Sequence, residues 1–228
     1  MRYIKKSRIG IGYGTLLKIH KSKGCYADTK DDNSKSPKIT TRTDILSDLL
    51  DEQGHICAYC MRRISSEDAG IEHIIGQNYI DENNRNVGKE EDTNYNNMLA
   101  VCHGKFCLNE THCDSSRSKY QKKEPLLEIS PLNKLQMNNI KFTQSGKIYY
   151  SELDAKTSMN DNLSRILNLN CNGIVEDRFK IGKSVRSLLR RHKYDKKFAK
   201  KELERWESKN TQYKPFCQVA IFELRKYI

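Results

Sequence analysis

Apolar residues recur at helical spacing just before the middle of the chain. The stretch consists of Ile45, Leu46, Leu49 and Leu50. Residues three and four apart lie on one face of a helix, so this pattern predicts a helix with one buried face. Thr41 or Thr43 can cap its start, and Gly54 is placed to end it. Residues 1–40 are basic and weakly patterned, and 31–38 read as an exposed loop.

The last third of the chain is also predicted to be mainly helical. The predicted helices cover residues 161–168, 174–192, 196–209 and a segment after Pro215. The second has Ile181, Val185, Leu188 and Leu189 on one face. Because charged residues fill the opposite faces, these helices are expected to be half-buried.

Three shorter segments are predicted to form β-strands. They are residues 71–76, residues 98–101 and a hairpin over residues 140–150 that turns at Ser145-Gly146. A polar loop over 78–96 separates the first two strands, and Asp114 opens a helix that runs to about Lys123. The prediction is an α+β fold with a ββα core and a mostly helical C-terminal region. Its segments are an N-terminal basic arm and helix (1–56, a possible partner-docking segment), the core (57–123) and a hairpin with basic helices (124–228).

The charge of the chain favours an anionic partner. Among 228 residues, 41 are Lys or Arg and 29 are Asp or Glu, a formal charge of +12. Residues 180–209 contain twelve Lys or Arg and four Asp or Glu, so 12 − 4 = +8 lies there. Lys183, Arg186 and Arg190 are spaced to share a helix face that can follow nucleic-acid phosphates. The alternatives are a solvated surface or a docking face for an acidic protein.

Eight cysteines are present, and five of them lie between residues 57 and 113. Cys57 and Cys60 form a Cys-x-x-Cys knuckle, a spacing typical of structural Zn²⁺ sites. Cys102 and Cys113 are the chosen remaining ligands, since one ends a strand and the other begins a helix. Cys107, His103 and His112 are rivals, and buried or redox-active thiols are the alternative to a metal site. No signal peptide or membrane-spanning run is seen, so we expect a cytoplasmic protein.

Between the cysteines lies an acid followed directly by a histidine, Glu72-His73. Adjacent strand residues point to opposite sides, so the pair can serve two purposes. A neutral His73 can act as a general base toward water. Carboxylates such as Glu72 and Asp114 suit Mg²⁺ or Mn²⁺, which would offset charge on a phosphate.

These residues together resemble the HNH endonuclease motif in its version with a four-cysteine zinc site. The resemblance rests on Cys57-x-x-Cys60, Glu72-His73-Ile74, Asn97-x-x-x-x-Cys102 and Cys113-Asp114-x-x-Arg117. It implies that His73 is the general base, that Asn97 positions its loop, and that Glu72 and Asp114 hold the catalytic divalent ion. Arg117 and the nearby Lys119 are expected to contact nucleic acid. Glu72, Asp114 and Arg117 depart from the commonest residues, and the spacing from Cys102 to Cys113 is unusually long.

The flanking sequence is similar to the PtuB family, the HNH partner of an ABC-type ATPase in Septu and some retron anti-phage systems. The similarity rests on Ala58-Tyr59, residues 99–104, the His112-Cys113-Asp114 triplet and weaker features of the C-terminal segment. It implies a phosphodiester hydrolase, with DNA favoured as substrate, that works with a PtuA-like ATPase. The chain has no GxxxxGK[ST] nucleotide-binding loop of its own. An RNA (tRNA) nuclease and a non-catalytic zinc-knuckle binding module are the alternatives.

Overall fold

The computed structural model describes residues 1–30, 41–105, 110–151 and 157–228, so the loop predicted over 31–38 lies outside the described residues. The α-helices are α1 (Ile11–Lys21), α2 (Thr41–Gln53), α3 (Val87–Glu90), α4 (Cys113–Tyr120), α5 (Lys134–Asn138), α6 (Thr157–Asp161), α7 (Asn172–Arg191), α8 (Lys196–Glu207) and α9 (Cys217–Arg225). The strands are β1 (Ala69–His73), β2 (Met98–Cys102), β3 (Ile140–Phe142) and β4 (Ile148–Tyr150). The described residues thus combine helices with two small antiparallel sheets, in agreement with the predicted α+β class.

Strands β1 and β2 pair antiparallel, with Ala69 opposite Cys102 and His73 opposite Met98. Helix α4 packs against β2. The first strand begins and ends earlier than predicted. Ile74 and Ile75, predicted to continue this strand, do not pair with β2. The Ile74 N–H donates to the Asn97 carbonyl, and the Ile75 N–H donates to the Asn97 side chain. The predicted loop over 78–96 also contains the short helix α3.

Helix α2 forms where the apolar stripe predicted it, with Ile45 and Leu49 fully buried. Gly54 ends it with φ of +63°, and an added Cβ there would meet Tyr213 at 2.5 Å. Helix α1 was not predicted. It packs against α2, and a Cβ on Gly12 would lie 2.3 Å from the Ile45 nitrogen. Gly12 weakens the helical pattern in the sequence, but its lack of a side chain permits the close packing of α1 against α2.

The C-terminal half follows the prediction in outline. Strands β3 and β4 form the predicted hairpin, with Gly146 at φ of +92° in its turn. The helix predicted over 161–168 is instead α6 followed by a π-helical turn over residues 162–166. Helices α7, α8 and α9 pack on one another.

The apolar core is continuous across the three predicted segments. It includes Met1 and Leu16 from the first, Leu99 from the second and Ile221 from the last. A smaller apolar cluster lies between α7, α8 and α9 and contains Val185, Leu189, Ala199, Ala220 and Leu224. Within the described ranges, no helix combines the length and the apolar character needed to cross a membrane.

Candidate metal centre and the adjoining acid–histidine site

Four buried cysteines converge at the base of the β1–β2 pair. Cys57 and Cys60 lie in the turn after α2, Cys102 ends β2 and Cys113 begins α4. Their sulfurs all lie within 4.8 Å of one another, and every one of the four residues is buried. The structure therefore brings together the four cysteines that the sequence singled out, and they could hold a metal ion such as zinc.

The sulfur spacing matches tetrahedral coordination. Cys57 Sγ lies 3.9 Å from Cys113 Sγ, and Cys60 Sγ lies 3.7 Å from Cys102 Sγ. A disulfide requires about 2.05 Å, so these are free thiols. Four Zn–S bonds of about 2.3 Å place neighbouring sulfurs about 3.8 Å apart in a tetrahedron. The two closest sulfur pairs thus have the spacing of a zinc–thiolate tetrahedron, and the remaining pairs lie within 4.8 Å.

The backbone around the cysteines fixes this geometry. The Met61 N–H bonds to the Cys57 carbonyl at 3.0 Å, with Met61 in the left-handed region at φ of +67°. The Cys102 N–H points at Cys57 Sγ over 3.4 Å. Cys113 also has positive φ, +49°, and its N–H bonds to the Leu167 carbonyl. The ligand directions are therefore set by hydrogen-bonded turns.

The rival ligands take different places. His112 is fully buried, with Nδ1 3.2 Å from Cys113 Sγ and 3.9 Å from Cys102 Sγ. A ring N–H at that position can stabilise a thiolate ligand from outside the cluster. His103 is exposed, and Cys107 lies outside the described residues.

The electrostatics of the cluster favour bound positive charge. Burial would raise the pKa of the Cys57 thiol, but hydrogen bonds from Cys102, Cys113 and Cys60 outweigh it and hold that pKa well below its usual value. Burial raises the pKa of Cys113 well above its usual value. The opposite pKa shifts of neighbouring thiols show that the four sulfurs interact strongly, and a bound cation would stabilise the thiolate form of each.

A buried arginine stands beside this cluster. Arg178 of α7 is 1% exposed and donates to the carbonyls of Gly146 and Leu169. Burial lowers the pKa of Arg178 to about 10, and the charges of Cys60, Cys171 and Cys113 act in the opposite direction. The guanidinium stays protonated at neutral pH and faces a centre that is anionic when it holds a divalent metal. No local sequence pattern signalled this role.

Glu72 is engaged by a second buried arginine, Arg117. Arg117 Nη1 donates to Glu72 Oε1, to the Tyr59 hydroxyl at 3.2 Å and to the His73 carbonyl at 3.2 Å. Its Nη2 donates to the carbonyls of Ile74 and Pro125. Burial raises the pKa of Glu72, an effect that Arg117 opposes and the negative charge of Asp114 reinforces. With 2% exposure, Arg117 does not fit its predicted contact with nucleic acid.

His73 points away from Glu72, as strand alternation requires. Its Nε2 lies 3.0 Å from the Asp92 carbonyl, and the Tyr26 ring packs against it edge-on at 4.6 Å. A carbonyl partner requires the proton on Nε2, which leaves Nδ1 with the lone pair in the neutral ring. Burial lowers the pKa of His73, so the neutral form predominates at pH 7. His73 as a whole residue is 7% exposed.

Asn97 fastens both ends of the loop between β1 and β2. Its Oδ1 accepts the Ile75 N–H at 2.7 Å, and its Nδ2 donates to the carbonyls of Ile75 and Glu91 at 3.0 Å each. The same loop supplies the Asp92 carbonyl that meets His73. Asn97 is therefore a positioning residue for the His73 surroundings.

Glu72 and Asp114 do not form a preorganised divalent-ion site. Asp114 is half-buried in the first turn of α4, close enough for its charge to affect Glu72. Across the described part of the chain, the cysteine cluster is the one group of three or more Cys, His, Asp or Glu ligands that converges. Because Arg117 neutralises Glu72, the two carboxylates as arranged do not fit the predicted Mg²⁺ or Mn²⁺ site.

The predicted phosphate contacts differ in how far each side chain is engaged within the protein. Lys119, Lys183 and Arg190 are exposed, although Lys119 Nζ donates to the Thr111 hydroxyl at 2.6 Å. Arg186 instead donates to Glu223 Oε1 at 2.7 Å and to the Gln144 carbonyl at 3.2 Å. The Arg186 guanidinium is thus engaged within the protein, which does not fit its predicted contact with nucleic-acid phosphates.

The chain was also compared with models of protein families and with curated proteins, and neither comparison found a match.

Proposed function

We propose that the protein is a nuclease of the HNH type that hydrolyses phosphodiester bonds, with DNA as substrate and Zn²⁺ in the cysteine cluster. One observation carries the proposal. A neutral histidine, His73, ends β1 of a two-stranded unit built on the cysteine cluster, and Asn97 fastens the loop that holds its ring.

The proposed chemistry begins at the unprotonated Nδ1 of His73. This nitrogen can take a proton from a water whose oxygen bonds to phosphorus as the bond from phosphorus to the leaving sugar oxygen breaks, and solvent supplies a proton to that oxygen. Meanwhile the Nε2–H of His73 stays hydrogen-bonded to the Asp92 carbonyl. The lowered pKa of His73 keeps the base in its reactive form at neutral pH. No step is assigned to Mg²⁺ or Mn²⁺, because Arg117 already neutralises Glu72.

A second candidate is a zinc-knuckle module that binds nucleic acid without cutting it. The burial of both members of the Glu72-His73 pair favours this candidate, since a general base must reach solvent water. The two candidates share the cysteine cluster and the basic surface, and they differ in whether His73 is used chemically.

The decisive experiment compares the parent protein with His73→Ala on plasmid DNA and on tRNA, with EDTA, Mg²⁺ or Mn²⁺. The matched control is His55→Asn, because His55 pairs with Asp51 away from the site. We expect the parent and the control to cut DNA and His73→Ala to lose at least the 10²-fold typical of general-base catalysis. Equal cutting by all three proteins, or cutting by none, contradicts the role of His73. Cutting confined to tRNA changes the substrate to RNA.

We also propose, on the resemblance to PtuB alone, that an ABC-type ATPase of the PtuA kind is the partner in an anti-phage complex. Coexpression of the two proteins followed by size-exclusion chromatography tests this. Co-elution at a combined mass is expected, and separate elution with and without ATP contradicts the partnership.

A further inference from the structure

The turn between α7 and α8 carries a dense group of cations. We call residues 190–201 the α7–α8 corner. Its basic residues are Arg190, Arg191, Lys193, Lys196, Lys197, Lys200 and Lys201. Asp195 is the one acid in this stretch, so the corner carries 7 − 1 = +6.

These seven side chains are available to an outside partner. All seven residues are exposed, and none forms an ion pair with any residue in the described ranges. Asp195 does not offset them fully, because its carboxylate caps α8 by accepting the Phe198 N–H at 2.7 Å. Arginines elsewhere in α7, α8 and α9 are paired instead. Each forms an ion pair with a glutamate, namely Arg186, Arg205 and Arg225.

Helix energetics do not account for the lysines of α8. Arg190 and Arg191 lie in the last turn of α7, where the helix dipole favours cations. Lys196 and Lys197 lie in the first turn of α8, where the dipole disfavours them. Lys200 and Lys201 follow four residues later, which adds like-charge repulsion along the same face. The free protein is therefore weakly destabilised by a feature that an anion would relieve.

The frame beneath these cations is fixed. Ala199 of α8 is fully buried against α7 and α9 in the smaller apolar cluster. The rings of His192 and Phe198 stack at 3.7 Å with an interplanar angle of 8°, and Tyr194 stacks on Tyr227. Each stacked pair covers one face of its rings, and His192 and Tyr194 remain exposed. The seven cations of the corner outnumber these two exposed rings, so phosphate contacts rather than base stacking are expected to dominate binding. The geometry suits a regular phosphate backbone better than a single strand.

We infer that the α7–α8 corner binds the phosphate backbone of double-stranded DNA, as a second anchor distant from the β1–β2 unit. Arg178 stands beside the cysteine cluster, and Arg190 follows it by twelve residues on one helix. The helical rise places Arg190 about 18 Å away, about five base-pair steps of duplex. The choice of DNA rests on the proposed function, but binding at this corner does not require catalysis.

The experiment measures binding of a 30-base-pair duplex by fluorescence anisotropy over a range of salt concentrations, in the His73→Ala background. The test protein has Lys196, Lys197, Lys200 and Lys201 changed to Gln. The control protein has Lys18, Lys21, Lys134 and Lys147, four exposed lysines outside the corner, changed to Gln. Both lose four charges, so net charge is matched.

We expect the plot of log affinity against log salt concentration to become less steep by about 3.6 in the test protein, or about 0.9 per lost phosphate contact. The control slope should change by less than about 1, which is the equivalent of one contact. The test protein should melt no lower than its parent, since its charge repulsion is removed. Equal slopes in the two variants, or tighter binding of a 30-nucleotide single strand, would overturn the inference. Lost duplex binding in the test protein, together with absent cleavage by the protein that retains His73, would reject the nuclease and keep the anchor.

Discussion

The cysteine cluster and the acid–histidine site share the β1–β2 unit but differ in how their polar groups are partnered. The four sulfurs face one another within 4.8 Å, two pairs of them at the spacing of a zinc–thiolate tetrahedron, so a single metal ion could bind all four. Glu72 already has a cation in Arg117, and His73 already has a carbonyl and an aromatic ring. The first site could therefore hold a metal ion as it is arranged, whereas the carboxylate and the imidazole of the second already have partners within the chain.

The largest expected effect comes from the first site. Cys60→Ser should abolish stoichiometric metal binding, because a tetrahedral Zn²⁺ site needs all four ligands. Structural Zn²⁺ can contribute about 10 kcal/mol or more to folding, so cooperative unfolding of the core should be lost. Metal analysis and urea unfolding followed by circular dichroism measure both. Cys25→Ser is the control, since Cys25 is exposed, and retention of one metal per chain in Cys60→Ser would contradict the assignment.

The second prediction tests the partner that Glu72 already has. Arg117→Met leaves a buried carboxylate without its cation, and breaking a buried pair in this way costs about 3–5 kcal/mol. The double change of Arg117 and Glu72 to Met should recover the part of the loss that the unpaired carboxylate causes, while the backbone carbonyls that accepted from Arg117 remain without that donor. Urea unfolding measures the free energies of all three proteins. A single mutant as stable as the parent would show that Glu72 does not depend on Arg117.

The third prediction concerns the loop that presents the His73 partner. Asn97→Ala removes three hydrogen bonds and leaves the Ile75 and Glu91 backbone groups without them, which we expect to cost about 1–3 kcal/mol. Asn78→Ala is the control, because Asn78 is exposed in the same loop. Hydrogen exchange of residues 74–97 should accelerate in Asn97→Ala alone. Unchanged exchange would mean that the loop is held by other contacts.

The smallest expected effect is the pH dependence of stability from His73. Burial lowers the pKa of His73 in the folded protein. Below about pH 6.5, His73 is therefore protonated in the unfolded chain while it stays neutral in the folded chain. Stability is therefore full above that pH and falls as the pH drops further, by at most about 1.4 kcal/mol per pH unit. Urea unfolding at pH 7.5 and 5.5 should show a smaller difference in His73→Gln than in the parent. An equal difference in both proteins would rule out this contribution.

The sequence predicted those features that depend on local pattern. The stripe from Ile45 to Leu50 predicted α2, the alternation around Ser145-Gly146 predicted the hairpin, and the cysteine spacing predicted the cluster. In each case, neighbouring residues carry the signal, through side-chain period, turn chemistry or knuckle spacing. The choice of Cys102 and Cys113 over nearby rivals succeeded because both lie where an element begins or ends.

The errors arose where distant segments decide the outcome. Arg117 has the charge of a surface residue, but its acceptors come from β1, from the following loop and from Pro125. Helix α1 depends on contact with α2 through Gly12, a residue that lowers local helix propensity. The shielding of His73 by Tyr26 joins segments far apart in the chain. Local periodicity carries no information about such contacts.

The position of Arg178 also bears on the order of events during synthesis. The last cysteine of the cluster, Cys113, precedes Arg178 by 178 − 113 = 65 residues. At a translation rate of about 5–20 residues per second, Arg178 follows Cys113 by roughly 3–13 s. The nascent chain thus has an interval in which it can capture a metal before its second half emerges. A centre that held a divalent metal would be anionic and would offer the arriving Arg178 a counter-charge, so we expect metal capture to precede the docking of α7.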